Sequence, residues 1–209
     1  MLDLNNVPPM EGSGGGDFEL MPDGTIVRAI VSLQGGDIEM PEYGGGTFFK
    51  ESQTTTAKWL PIELTIVGGP FDKRKVWQNI FVDGDARDDN GMSKAKKIGL
   101  NTIKQMVDSG FGISPKDESE DARAKRASIQ GINMINNMEI CFVIGVDPGN
   151  NGYPAKNKMK TVLTPDSQKY ISGGNVVTGS ATLTPPAQPA QAPVAPATPQ
   201  QGVTPSWAR

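Results

Sequence analysis

The stretch from Lys58 to Gly84, KWLPIELTIVGGPFDKRKVWQNIFVDG, leaves the chain few ways to fold. Two runs alternate apolar and polar residues with the period of two that places successive side chains on opposite faces of a strand. In the first, Leu60, Ile62, Leu64 and Ile66 share one face, and Trp59, Glu63 and Thr65 share the other. In the second, Trp77, Asn79 and Phe81 alternate with Val76, Gln78, Ile80 and Val82. Gly68, Gly69 and Pro70 break the pattern between them, and Lys73, Arg74 and Lys75 put three positive charges at the turn. A β-hairpin is expected. Tryptophans beside a basic turn suit a surface that stacks on bases and follows phosphates, and they also suit a core hairpin with a solvated turn. At least one of Trp59 and Trp77 is expected to be a core residue.

Elsewhere the same periodicity predicts strands over 25–33, 57–67, 74–82, 138–146 and 158–163. Pro41 to Gly46 is a Gly-rich insertion carrying Tyr43, followed by Phe48, Phe49 and Lys50. Aromatics and a lysine on a loop suit a binding loop, but the aromatics are rather expected to pin it to the body. Met92 to Ser109 reads as a helix. Ala95, Leu100, Ile103, Met106 and Val107 lie on its apolar face, Lys94, Lys97 and Lys104 lie opposite, and Gly110 is placed to end it. Lys116 to Ser128 reads as a short exposed helix. Residues 1–16 are expected to be a flexible leader, and 17–172 the folded domain. From 173 to 209 the chain holds seven prolines and a single charged side chain, Arg209. Such a segment cannot bury enough apolar surface to fold. It is expected to be a disordered tail with Trp207 as a partner-docking tip.

The inventory excludes much chemistry. The chain has no histidine and one cysteine, Cys141, so internal Ser-His-Asp triads, Cys-His dyads, disulfides and Cys-rich zinc sites are ruled out. Cys141 reads as a buried, inert thiol. Asp83, Asp85, Asp88 and Asp89 crowd together without the glycine and terminal glutamate of an EF-hand, and read as an acidic solvated loop. A metal-dependent nuclease built on these acids ranks last among the readings. No cofactor and no catalysis are expected. No apolar run approaches the length of a membrane span, and the first residues lack a signal-peptide pattern. A cytoplasmic setting without membrane partners is expected. The formal net charge of −3 provides no global field for nucleic acid, so any such affinity has to come from local clusters. The turn is one such cluster. The stretch Asn150 to Leu163, with Tyr153, Lys156, Lys158 and Lys160, is a second, with Lys158 and Lys160 facing one way and Met159, Thr161 and Leu163 the other.

Five strands with a helix between the third and fourth is the order of a mainly β, OB-like barrel, a partly open barrel that binds single strands or oligosaccharides on one face. FELMPDGTIVRAI (18–30), GPFDKRKVWQNIF (69–81) and GYPAKNKMKTV (152–162), followed by a Pro/Ala/Gln tail ending near a tryptophan, resemble a family of bacteriophage proteins. That family is described as single-stranded-DNA-binding-like and is encoded among replication and recombination genes. The resemblance implies an OB-like fold and non-catalytic binding of single-stranded DNA in the host cytoplasm. Bases would stack on Trp77 and Trp59 with Tyr153, and phosphates would meet Lys73, Arg74, Lys75, Lys156, Lys158 and Lys160. Replication or recombination proteins would dock on the tail, and homo-oligomerisation is left open. The tail departs from the acidic tips of many such binders, since it holds no acid. The competing reading is a protein-interaction adaptor, or an inhibitor of a host enzyme, acting through the tail.

Overall fold

The computed structural model describes residues 19–150 and 152–173. The expected leader (1–16), nearly all of the expected tail (173–209) and Trp207 lie outside the described residues. In chain order the elements are β1 (Ile26–Leu33), β2 (Lys50–Glu51), β3 (Lys58–Ile66), β4 (Lys75–Asp83), α1 (Lys94–Phe111), α2 (Glu120–Ala127), β5 (Glu139–Asp147) and β6 (Lys156–Leu163).

Among the described residues the fold is mainly β, with one sheet of six antiparallel strands and two α-helices. β3 pairs β4 on one edge. Its other edge is shared by β2, opposite Lys58 and Trp59, and by β1, opposite Ile62 to Ile66. From β1 the sheet continues through β5 to β6. Successive reversals along this path leave β4 and β6 pointing the same way. They lie side by side, and Gln78 Oε1 accepts a hydrogen bond from the Met159 N–H at 3.3 Å. They do not pair as strands, so the sheet is not closed.

The inward side is the apolar set that the alternation singles out. Ala29 and Val31 of β1, Leu60, Ile62, Leu64 and Ile66 of β3, Val76, Ile80 and Val82 of β4, and Ile140, Phe142 and Ile144 of β5 are all buried. Full burial of each of the larger side chains contributes about 1.5–3 kcal/mol. Met106 and Val107 of α1 join the same core. The helix can sit this close because position 99 lacks a side chain. A Cβ on Gly99 would stand 2.1 Å from the Phe81 carbonyl oxygen. The segment before β1 ties the sheet's ends together. Arg74 donates to the Glu19 carbonyl (2.7 Å), Asn157 exchanges two hydrogen bonds with the Met21 backbone (2.9 Å each), and Lys160 pairs with Asp23 at 3.0 Å.

Several expectations need correction. Among the described residues there are six strands rather than five, because β2 is a two-residue strand too short to show a period. α1 ends at Phe111, two residues beyond the expected end at Ser109. Gly112 takes the left-handed conformation (φ 65°) and caps the helix, while Gly110 remains inside it. Leu100 is exposed rather than inward, as is Ile98. In β6 the alternation slips. A register shift opposite Val143 and Ile144 leaves Lys160 unpaired, so Thr161 pairs Val143 and is exposed while Met159 pairs core residue Ile144. Thr161 therefore does not share Met159's side. Tyr43 and Phe49 are buried ring against ring (5.0 Å between centroids), so these aromatics do pin the Gly-rich connection.

Candidate nucleic-acid interface

Antiparallel partners project from the same face of a sheet, so the register of β3 and β4 assembles the site row by row. Trp59 stands opposite Phe81, Pro61 opposite Asn79, Glu63 opposite Trp77, and Thr65 opposite Lys75. All eight lie on the side away from the core. Their span from Trp59 to Thr65 is about 20 Å at the usual rise per residue. Neither tryptophan is a core residue, which corrects the expectation that one would be. Trp59 is half-buried because its ring packs against Phe81, with centroids 5.9 Å apart and planes tilted by 53°. Trp77 has no ring neighbour among the described residues and is 62 % exposed.

The positive charges divide into paired and unpaired. Lys75 pairs with Glu63 at 2.9 Å. Arg74 is drawn back to the Glu19 carbonyl and lies over the Phe71 ring at 5.6 Å. Lys73 is exposed and has no acidic partner among the described residues. Its φ of 65° lies in the left-handed region, where a non-glycine residue is strained. At the other end of the face Lys50 of β2 stands opposite Trp59, and its side chain is exposed without an ion pair among the described residues. Lysines therefore sit at both ends of the aromatic row. Phe81 is the site residue that sequence reasoning did not nominate, and Lys50 entered it only as part of a candidate binding loop with Phe48 and Phe49. The signal for Phe81 was its shared alternation with Trp77, and that for Lys50 appears only once β2 is seen to pair.

The second cluster adjoins the first across the open side of β4. A groove of about 520 Å³ between β4, α1 and β6 is rimmed by Asn79 and Phe81 on one side and Lys160 and Thr161 on the other. Lys158 and Lys160 are not free, since they pair with Asp147 (3.9 Å) and Asp23 (3.0 Å). The Lys160 ammonium accordingly holds the Asp23 carboxyl below its ordinary value. Lys156 is exposed at the start of β6, next to the Asn157 that binds the Met21 backbone. Tyr153, 77 % exposed, stands in the β5–β6 loop.

The other candidate groups have structural partners. Asp88 Oδ1 accepts from the Asn90 and Met92 backbone N–H groups, and Asp83 from that of Gly84, so these acids order their own loop. Among the described residues no three or more Cys, Asp or Glu side chains gather as a metal site. Cys141 is buried, and burial raises its thiol pKa. Among the described residues no helix is long and apolar enough to cross a membrane.

No protein-family model matches this sequence, and no curated protein matches it.

Proposed function

We propose that the chain is a non-catalytic single-stranded-DNA-binding protein that serves phage replication or recombination, and that the outer face of the β3–β4 hairpin is its binding surface. The observation that carries this reading is the exposed Trp77 in line with the Trp59–Phe81 pair, with lysines that have no ion pair among the described residues at both ends of the row. Stacking on aromatics is indifferent to base identity because every base has a π face, and each stacked base contributes about 1–3 kcal/mol. Lys73, Lys50 and Lys156 would neutralise phosphates. The strain at Lys73 fits that role, since a left-handed lysine persists only where its surroundings hold it.

Support for an OB-type barrel comes from the pairing pattern. β1 joins β3 and β5, β3 joins β4, β5 joins β6, and β4 and β6 meet in the same direction with α1 between β4 and β5 in the chain. In such barrels the face of the second and third strands binds single strands, and here those are β3 and β4.

The test is tryptophan fluorescence of the full chain titrated with oligo-dT in low salt. Quenching that is lost in Trp77→Ala supports the reading. Fluorescence unchanged by any single-stranded oligonucleotide, with no mobility shift, overturns it. A second reading, a protein-interaction adaptor, draws on the groove beside β4, where Ile98 is 68 % exposed next to Phe81. Recovery of a partner through that groove, without oligonucleotide binding, would favour it.

A further inference from the structure

An acid in the middle of a DNA-binding face is out of place unless it does something there. Glu63 stands directly opposite Trp77 on the exposed face. Its side chain is 14 % exposed, and its Oε1 is held by the Lys75 ammonium at 2.9 Å and by the Thr65 hydroxyl at 3.5 Å. Its Oε2 has no partner among the described residues. The carboxylate is thus fixed in orientation by one oxygen and open at the other. Opposite residues in an antiparallel pair have Cβ atoms about 4.5–5.5 Å apart. A base stacked on the Trp77 indole therefore brings one edge alongside the Glu63 carboxylate.

A carboxylate only accepts hydrogen bonds. Guanine offers two adjacent donors on its Watson–Crick edge, N1–H and the N2 amine, and both can converge on the open oxygen. Cytosine and adenine offer one amine beside a ring acceptor. Thymine offers a single N3–H between two carbonyl oxygens, which the carboxylate repels. We infer that Glu63 reads the edge of the base stacked on Trp77, making this position prefer guanine and disfavour thymine. This inference rests on the proposed single-strand binding and deepens it, since it turns a sequence-indifferent stacking row into one with a preferred base. Lys75 is then a positioning residue for the carboxylate rather than a phosphate contact.

The experiment compares full-chain binding to three 12-mers by fluorescence anisotropy: all-dT, alternating dG/dT, and alternating dI/dT. Inosine keeps N1–H and lacks the amine. The dG/dT strand should bind about tenfold more tightly than all-dT, in the range of one good side-chain–base pair, with dI/dT between them. Glu63→Gln is isosteric, and the amide can both donate and accept, so the order should flatten to within about twofold. Glu63→Asp keeps the charge and the Lys75 pair but withdraws the carboxylate, and should weaken the preference while leaving the salt dependence alone. Equal binding of the three strands, or a preference that survives in Glu63→Gln, overturns the role of Glu63 and leaves single-strand binding standing. Failure of every strand to bind in low salt overturns the proposed function and this inference with it.

Discussion

Asp108 and Glu63 each sit beside a lysine, and they behave as opposites. Asp108, in the last turns of α1, is wholly buried. Its Oδ2 accepts from Lys104 at 2.8 Å and its Oδ1 from Arg126 at 2.7 Å. The Arg126 guanidinium goes on to the carbonyls of Ser114 (2.9 Å) and Asp117 (2.7 Å). Both carboxylate oxygens are taken, and α1, α2 and the loop between them are locked together. Glu63 on the hairpin has one oxygen taken and one open, beside an exposed indole. A saturated buried pair holds structure. A half-saturated pair on an aromatic face is available to a ligand.

Asp108→Asn puts the first half of that contrast under the greatest load. Removing one member of a buried pair strands the other, and a loss of about 3 kcal/mol in urea unfolding is expected. Oligonucleotide affinity, measured well below the unfolding transition, should not change. If it falls in parallel, the two regions are not separate. Trp77→Ala is the reverse case. It should cost about 1–3 kcal/mol of oligonucleotide binding and change stability by no more than about 0.5 kcal/mol. A large loss of stability would mean that Trp77 packs the fold rather than serving a ligand.

Tyr43 provides a third kind of buried polar group, one with no hydrogen-bond partner among the described residues and no opening. Its hydroxyl is buried, and its pKa is pushed up to about 12, by burial first and then by Glu42 and Asp83. Tyr43→Phe should therefore raise stability by about 1 kcal/mol. The folded protein keeps a proton that the unfolded chain releases near pH 10, so the native state is fully favoured below that pH. It loses ground as pH rises from 10 towards 12. The gap between urea midpoints at about pH 9 and about pH 11 should be smaller in the phenylalanine variant than in the parent, the remainder coming from Cys141 and Tyr170, which burial also raises. The smallest effect is expected at Lys73. Glycine there removes the left-handed strain and adds chain entropy to the unfolded state, for a net change of roughly 0.5 kcal/mol. With Lys73, Lys50 and Lys156 as phosphate contacts, log affinity against log salt should slope near about −2, and Lys73→Gly should flatten it by about 0.7. A flat slope in the parent would remove the phosphate contacts altogether.

The alternation that exposes Leu60, Ile62, Leu64 and Ile66 as one face was enough to place β3, and it placed β1, β4 and β5 within a residue or so. It failed where the backbone itself is irregular. The bulge at Lys160 turns Thr161 to the opposite side from Met159, and no property of those side chains signals it. β2 is held only by its pairing with Lys58 and Trp59. At the site, the tryptophans and Lys73 were legible because their types stand out locally. Pairing was not. Lys75 is neutralised by Glu63, a diagonal neighbour across the hairpin, and Trp59 is half-covered by Phe81. Both facts follow from register, which two alternating runs leave undetermined. Lys158 and Lys160 look like free cations until Asp147 and Asp23 are brought beside them.

The missing methyl at Gly99 acts at a distance. The helix rests on the Phe81 carbonyl, and the other side of that same residue carries the ring that leans on Trp59. The single methyl that Gly99→Ala introduces would act as a shim under one end of the aromatic row, tilting Phe81 while leaving Trp77, four residues earlier, on its own footing. Helix packing on one side thus sets the level of the platform on the other.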